Sequence, residues 1–430
     1  MRVSVVGIGG KQWAAVSADP EWDLQTLCTA VVAQRKDPLP RARICHGEVE
    51  FRPGMRLADI GVQDGSSLSL VVLPSRRVAT SSLDGTAMIW DLDSGERLWI
   101  LWGAGTGGTE EETAIGELAF SPDGQTLLTG SDNGVVKLWS VEEGQCLFTL
   151  CQPSEHPYRS IYEAAFSPNG QQVLTCSDEG PAKVFSAETG QCLFRLSDHD
   201  GPIHVGVFSS DSQQIATASG DGNVRLWSAQ TGKSLCQLML GRAIELLSFS
   251  PNGQELLCDS RYAGGVVSVE IFSVATGACL HMLQGHTWTI NSVTFSPDGQ
   301  RVLSSSVDGT AKLWTLETGQ CITFGGHGAV SGAIFSPDGQ QVLTHYETGP
   351  SRLWSITSGE CLCSLEGHLE GHRYLGTECE VYDACFSLDG QRIVTASGDS
   401  TAKIWTTSGE CLHTLSGHSG DILRTVCSGF

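Results

Sequence analysis

Short runs of alternating apolar and polar residues, broken by small polar turns, fill most of this chain. From Ile290 the sequence reads INSVTF, SPDGQ, RVLSSSVDG, TAKLWTL and ETGQC. Runs this short, rich in β-branched residues and bounded by Pro-Asp-Gly, Val-Asp-Gly and Glu-Thr-Gly, predict strands joined by tight turns rather than helices. With the outer strand CLHML at 279–283 and the Gly285-His286 that follows, one unit holds four strands. The unit then repeats. FSPDGQ or a near copy begins at Phe120, Phe166, Phe208, Phe249, Phe295, Phe335 and Phe386, at spacings of 40 to 51 residues. Self-similarity at that period marks a propeller or solenoid.

Other signatures recur in step. An aromatic closes the third strand eight times, as Trp90, Trp139, Phe185, Trp227, Phe272, Trp314, Trp354 and Trp405, which predicts eight blades. Gly-His stands at His286, His327, His368 and His418, with Asp198-His199 as a variant. Residues 77–430 therefore resemble the WD40 family, whose four-stranded sheets are arranged radially around a channel. The resemblance implies a buried network of histidine, strand hydroxyl, turn aspartate and tryptophan. Here the network residues are His286, Ser304 or Ser306, Asp308 and Trp314 in the sixth unit, and His368 or His372, Asp399 and Trp405 in the last. His327, Trp354 and His418 belong to further copies. A serine, a histidine and an aspartate together also suggest a hydrolytic triad, but a set that recurs with the repeat reads as structural, since buried polar groups must be paired. Some units depart from the pattern: Arg242 replaces histidine, no aspartate fits the turn before Gly265, and Glu347 replaces aspartate. Those blades are expected to be less rigid or specialised.

The first unit lacks an FSPDG phrase, so its inner strand must come from elsewhere. Residues 417–430, GHSGDILRTVCSGF, match the start of a further unit, and 421–428 are expected to close the ring. Closure of this kind removes exposed strand edges. The competing donor is 68–72.

Residues 1–74 do not carry the repeat. Residues 43–73 resemble the second half of ubiquitin, with strands expected at 1–6 and 13–16 and a helix at 24–35, where Thr26, Leu27, Ala30 and Val31 fall at helical spacing. The predicted fold is thus mainly β: an eight-bladed WD40 propeller over 75–430, preceded by a small α+β ubiquitin-like (β-grasp) domain. No diglycine ends that domain before the first blade, so it is not expected to act as a conjugated modifier. Ubiquitin's apolar recognition face corresponds to Ile44 and Val71, with Gly47 beside them.

Charge narrows the partners. The formal net charge is −22, yet residues 1–76 hold 9 basic and 8 acidic residues, so the excess acid belongs to the repeats. Such a surface repels phosphate backbones and anionic lipid. Direct binding of nucleic acid or membrane is therefore not expected. Of 16 cysteines, seven (Cys146, Cys192, Cys236, Cys279, Cys321, Cys361 and Cys411) occupy one recurring place in the outer strand, and none has zinc spacing. They read as packing residues in a reducing compartment, the cytoplasm or nucleus, with Cys361 and Cys363 the local pair to watch. No cofactor is implied.

Function is expected in the loops. Three connections are long, at 102–113, 151–160 and 366–380, and they cluster around the closure. They carry Glu110, Glu111 and Glu112, which attract a basic or peptide-like partner, and Tyr158, Arg159, His372, Arg373 and Tyr374, the residue types of binding hot spots. Arg242, Arg261, Tyr262 and Trp288 add candidates on the same, top, face. The reading is a non-enzymatic scaffold, monomeric within larger complexes. The top face recruits protein partners, and the N-terminal domain docks a second, in the ubiquitin system. A ribosome-assembly factor of Notchless-like layout is the alternative. An enzyme using the channel ranks last, for want of a non-repeating catalytic cluster.

Overall fold

The computed structural model describes residues 2–7, 12–35, 42–46, 49–52, 54–72, 76–103, 113–151, 160–177, 180–242, 244–261, 267–326, 328–368 and 380–428. They form two compact units, Met1–Arg76 and Arg77–Gly429.

In the first unit, strands β1 (Arg2–Gly7), β2 (Gln12–Ser17), β3 (Ala42–His46), β4 (Val49–Glu50) and β5 (Ser67–Val72) form one sheet in the order β2-β1-β5-β3-β4. The central pair β1 and β5 is parallel and the other pairs are antiparallel. Helix α1 (Leu24–Arg35) starts at Asp23, whose carboxylate accepts the Thr26 amide at 2.8 Å and so caps an otherwise orphaned donor. Leu27 and Val31 of the helix pack on Val3, Val5, Ile44 and Leu68 of the sheet. Ile44 is 3% exposed, which corrects its reading as part of a docking patch. Its side chain faces the core because Ala42–His46 pairs with β5 in a register that turns Ile44 inward with Leu68.

The second unit contains eight four-stranded antiparallel sheets, here numbered I to VIII, with strands a to d. Strand a is Ile422–Cys427 in I, Ile115–Phe120 in II, Ile161–Phe166 in III, Ile203–Phe208 in IV, Leu247–Phe249 in V, Ile290–Phe295 in VI, Val330–Phe335 in VII and Val381–Phe386 in VIII. Sheet I is assembled from distant segments: Ile422–Cys427 pairs with Arg77–Ser82, followed by Thr86–Asp91 and Arg97–Trp102. Residues 68–72 lie in β5 of the other unit.

Sheet VI shows why these residues fold this way. Its strands b (Arg301–Ser306) and c (Thr310–Thr315) send alternate side chains to opposite faces. Val302 and Trp314 pack toward sheet V, while Leu303, Ala311 and Leu313 pack toward sheet VII. Strand d (Cys321–Gly325) is largely exposed. Equivalent cores join every successive pair of sheets, and the last, with Val394, Ile404 and Leu415 against Val78, Trp90 and Ile422, joins VIII back to I. The sheets thus form a closed cycle.

The recurring Ser-Pro-Asp-Gly phrase is a self-locked turn between strands a and b. In sheet II the Ser121 hydroxyl donates to Asp123 at 2.6 Å and accepts the Thr126 amide at 2.9 Å, while Gly124 takes φ 67°. In sheet IV the glycine is replaced by Ser212, at φ 59°. Its hydroxyl accepts the Asn169 amide of sheet III at 3.0 Å, tying two neighbouring turns together.

Candidate protein-binding site

Among the described residues, four sheets hold the full polar network. In VI, the Trp314 indole donates to Ser304 Oγ at 3.0 Å, Ser304 meets His286 Nε2 at 2.8 Å, and His286 Nδ1 meets Asp308 at 2.9 Å. The same chain runs through Trp227, Thr217, His199 and Asp221 in IV, through Trp405, Thr395, His368 and Asp399 in VIII, and through Trp90, Thr80, His418 and Asp84 in I. Every group is satisfied when a neutral histidine donates from Nδ1 to the carboxylate and accepts the hydroxyl proton at Nε2. Burial holds His286 and His199 below the ordinary histidine range, against the pull of Asp308 and Asp221. Burial also opposes ionisation of Asp308, but hydrogen bonds from Thr310, Thr287 and His286 outweigh it and hold the carboxyl low. The serine hydroxyl is held between an indole and an imidazole within a core. The set is a clamp, and it binds each d-to-a connection onto the b–c turn. Ser304 is the member in VI and His368 the member in VIII, while the Ser306 hydroxyl donates instead to the Trp288 carbonyl at 3.1 Å.

The other sheets keep fragments of the clamp. Trp139 donates to Thr129 at 2.9 Å in II, and in VII Trp354 donates to Thr344, whose hydroxyl donates to Tyr346 Oη at 2.9 Å. Sheet V replaces it. Arg242 is turned inward in an ion pair with Glu270, at 14% and 3% side-chain exposure, and it donates to the Leu240 carbonyl. It belongs to the structural core and not to a docking face. Asp259 accepts the Glu245 and Leu246 amides at 3.0 and 2.9 Å. The repeat pattern does not single out Asp259, but it carries a signal for Glu270. Two residues before the strand-c aromatic, six repeats carry Lys137, Lys183, Arg225, Lys312, Arg352 and Lys403, and only the repeat that exchanges histidine for Arg242 carries glutamate there.

With the networks closed on themselves, exposed aromatic and apolar side chains stand both on the outer strands d, as Trp102 and Met239 do, and along the edge formed by the d-to-a connections and b–c turns. Trp288 is 64% exposed there, beside Val307, whose amide donates to the Thr289 carbonyl at 3.0 Å; Leu83 is exposed on the b–c turn of sheet I. Near the same edge, on the strand-a faces, the Tyr162 and His204 rings lie 5.3 Å apart, and the Tyr382 hydroxyl donates to Asp421 at 3.4 Å. Of the residues singled out from sequence, Gly47, Glu110, Glu111, Glu112, Tyr158, Arg159, Tyr262, His327, His372, Arg373 and Tyr374 lie outside the described residues, as do the side chains of Val71 and Arg261.

Charge is unevenly placed on the inner strands. Three residues before the last residue of strand a stand Asp383, Arg424, Glu117 and Glu163 in the successive sheets VIII, I, II and III, against Val205, Leu246, Ser292 and Gly332 in IV to VII. Arg424 donates to Glu117 and to the Gly116 carbonyl, both at 3.3 Å, and Asp383 accepts the Thr425 amide at 2.9 Å. Burial, reinforced by the charge of Glu117, pushes Glu163 up to about 8. On the opposite strands a cavity of about 670 Å³ is lined mainly by apolar and hydroxyl side chains, among them Val207, Phe249, Thr294 and Ile334. Among the described residues no His, Cys, Asp and Glu group is placed to hold a metal ion, and no helix is long and apolar enough to cross a membrane.

A cycle of repeated four-stranded sheets, clamped in this way and presenting aromatics along one edge, defines a β-propeller-type repeat protein of the protein-binding class. Stretches 108–140, 144–180, 190–228, 277–315 and 359–406 match the family described as WD domain, G-beta repeat, and these WD40 repeats, with the relatives below, support the WD40 family. The sequence is 30% identical over 156 residues to nuclear distribution protein PAC1 of Arthroderma otae, covering 35% of this chain and 27% of that protein. It is 39% identical over 145 residues to the probable E3 ubiquitin ligase complex SCF subunit sconB of Aspergillus oryzae, covering 32% and 20%. The chain thus matches about a quarter of the length of these relatives. Among solved structures, the computationally designed Ika8 protein aligns with a TM-score of 0.59 at 26% identity, covering 72% of this chain and 89% of that one.

Proposed function

We propose that this protein is a non-enzymatic adaptor: an eight-bladed propeller over Arg77–Gly429 recruits a protein partner at the edge carrying Trp288, while a ubiquitin-like domain over Met1–Arg76 docks a second. The observation that carries the reading is the division of labour among polar residues. Serines, histidines and aspartates that resemble catalytic groups are spent in four equivalent clamps, and what remains accessible is a set of aromatic and apolar side chains suited to a protein interface. The acidic surplus favours a partner segment rich in lysine and arginine. The sheet order β2-β1-β5-β3-β4 with a parallel central pair and one packed helix supports the ubiquitin-like reading. An SCF-subunit relative makes the ubiquitin system the first place to look, in cytoplasm or nucleus.

The test compares proteins captured from cell extract by the intact chain, by Trp288→Ala and by a chain lacking residues 1–74. Loss of one partner set with Trp288→Ala and of a different set with the deletion is the expected result. Identical capture by all three overturns the two-surface adaptor.

A further inference from the structure

Strand a of sheet I differs from its seven counterparts in one place. Where they end in Phe120, Phe166, Phe208, Phe249, Phe295, Phe335 and Phe386, it ends in Cys427. The sulfur of Cys427 lies 3.3 Å from that of Cys385, the penultimate residue of strand a in sheet VIII, where no other sheet has a cysteine. Both thiols are half-buried in the core that joins VIII to I. The backbone around them is pinned on both sides: Ser428 exchanges hydrogen bonds with Arg77 at 2.8 and 2.9 Å, and Asp383 accepts the Thr425 amide. Other thiols behave differently. Cys146, Cys192, Cys279, Cys361 and Cys411 each donate to the carbonyl two residues further on, and Cys363 donates to the Thr407 carbonyl, so the 361/363 pair is not the reactive one.

We propose that Cys385 and Cys427 are a redox pair that forms a disulfide across the seam where the closing strand meets sheet VIII. A disulfide requires the sulfurs to close from 3.3 Å to about 2.05 Å, a shift of roughly 0.6 Å for each. The co-reactant is a two-electron oxidant such as hydrogen peroxide. The thiolate of one cysteine attacks a peroxide oxygen, the O–O bond breaks, and the departing hydroxide is protonated to water, leaving a sulfenic acid. The second sulfur then attacks the sulfenic sulfur, the S–O bond breaks, and a second water leaves with the remaining thiol proton. Two thiols are oxidised and one peroxide is reduced to two waters. Contact with Cys427 and burial both raise the Cys385 thiol, so proximity drives the reaction and the rate climbs with pH. The product ties the strand that completes sheet I to its neighbour by a covalent bond, with strands b to d of sheet VIII enclosed in the loop.

The experiment treats the full chain with hydrogen peroxide, then maps peptides without reduction and follows hydrogen exchange across 422–427. A linked Cys385–Cys427 peptide is expected, with exchange of that strand slowed about tenfold or more. Reduction reverses both. Cys427→Ser and Cys385→Ser, each checked for wild-type unfolding under reducing conditions, lose both responses. Should one variant fail to fold, the other and the wild-type peptide map still decide the matter. Separate oxidation of the two thiols without a linked peptide overturns the pair, and a linked peptide with unchanged exchange overturns the latch.

Discussion

Sheets V and VI occupy neighbouring places in the cycle and solve the same problem differently. In VI the connection entering the sheet is held by neutral groups around His286, with one carboxylate, Asp308, at the edge. In V the same connection is held by a buried guanidinium against a buried carboxylate. A hydrogen-bonded relay loses one modest contact when a member is removed, whereas an ion pair leaves an uncompensated charge in the core. The two designs therefore fail by different amounts when one member is removed.

The largest effect is expected from Glu270→Ala or Arg242→Met alone, each costing about 3–5 kcal/mol in urea unfolding. The double substitution Arg242→Met with Glu270→Leu recovers most of that loss, because no charge is left behind. A double variant as unstable as the singles would show that the pair is not what holds sheet V. His286→Ala is next, at about 1–3 kcal/mol, because Ser304 and Asp308 lose a buried partner; an effect equal to Glu270→Ala would erase the distinction between the sheets.

Acidification sharpens the contrast. His286 titrates lower in the folded chain than in the unfolded one, so the unfolded state takes up the proton first and sheet VI begins to weaken as pH falls below the ordinary histidine value of about 6.5. Asp308, also lowered, adds a second loss below about pH 4. Asp259 is raised by burial, so its protonation favours the folded state and works in the opposite direction as pH falls. Hydrogen exchange resolved by sheet at pH 7 and pH 5 is expected to show faster opening in VI and little change in V.

The charged arc of inner strands gives a smaller effect. Glu163 is raised, so stability is lost as pH climbs from the ordinary glutamate range to about 8, and Glu163→Gln is expected to gain about 1–2 kcal/mol at pH 8.5 but almost nothing at pH 4. Equal melting shifts at the two pH values contradict that assignment. The smallest change is Ser212→Gly, within about 0.5 kcal/mol, since relief at φ 59° offsets the lost bond to Asn169.

What could be read from sequence was what is local. The strand alternation, the serine–aspartate turns and the eight aromatics each occupy a few consecutive residues and repeat, so the four-stranded unit and the clamp members His286, Asp308 and Trp314 were legible. Arg242 stands out as a departure, but its partner Glu270 lies 28 residues away and is marked only by comparison with the basic residue at that place in six other repeats. Ile44 was legible as a strand residue and not as an inward-facing one, since facing depends on pairing with β5. Cys385 and Cys427 meet across two sheets, and neither has a neighbour in sequence that announces the contact. Of the proposed binding edge, sequence offers only residue types, because a loop's composition does not state its path.

Ile422–Cys427 completes a sheet whose other strands begin at Arg77. On the ribosome, sheets II to VIII can each assemble as their residues emerge, but Arg77–Ser82 must wait with one edge unpaired until residue 427 has been made. Until then the nascent chain carries an open strand edge, the feature that recruits foreign strands and chaperones. The time taken to translate from Ser82 to Cys427, rather than the strength of any finished contact, then sets how long that edge stays available.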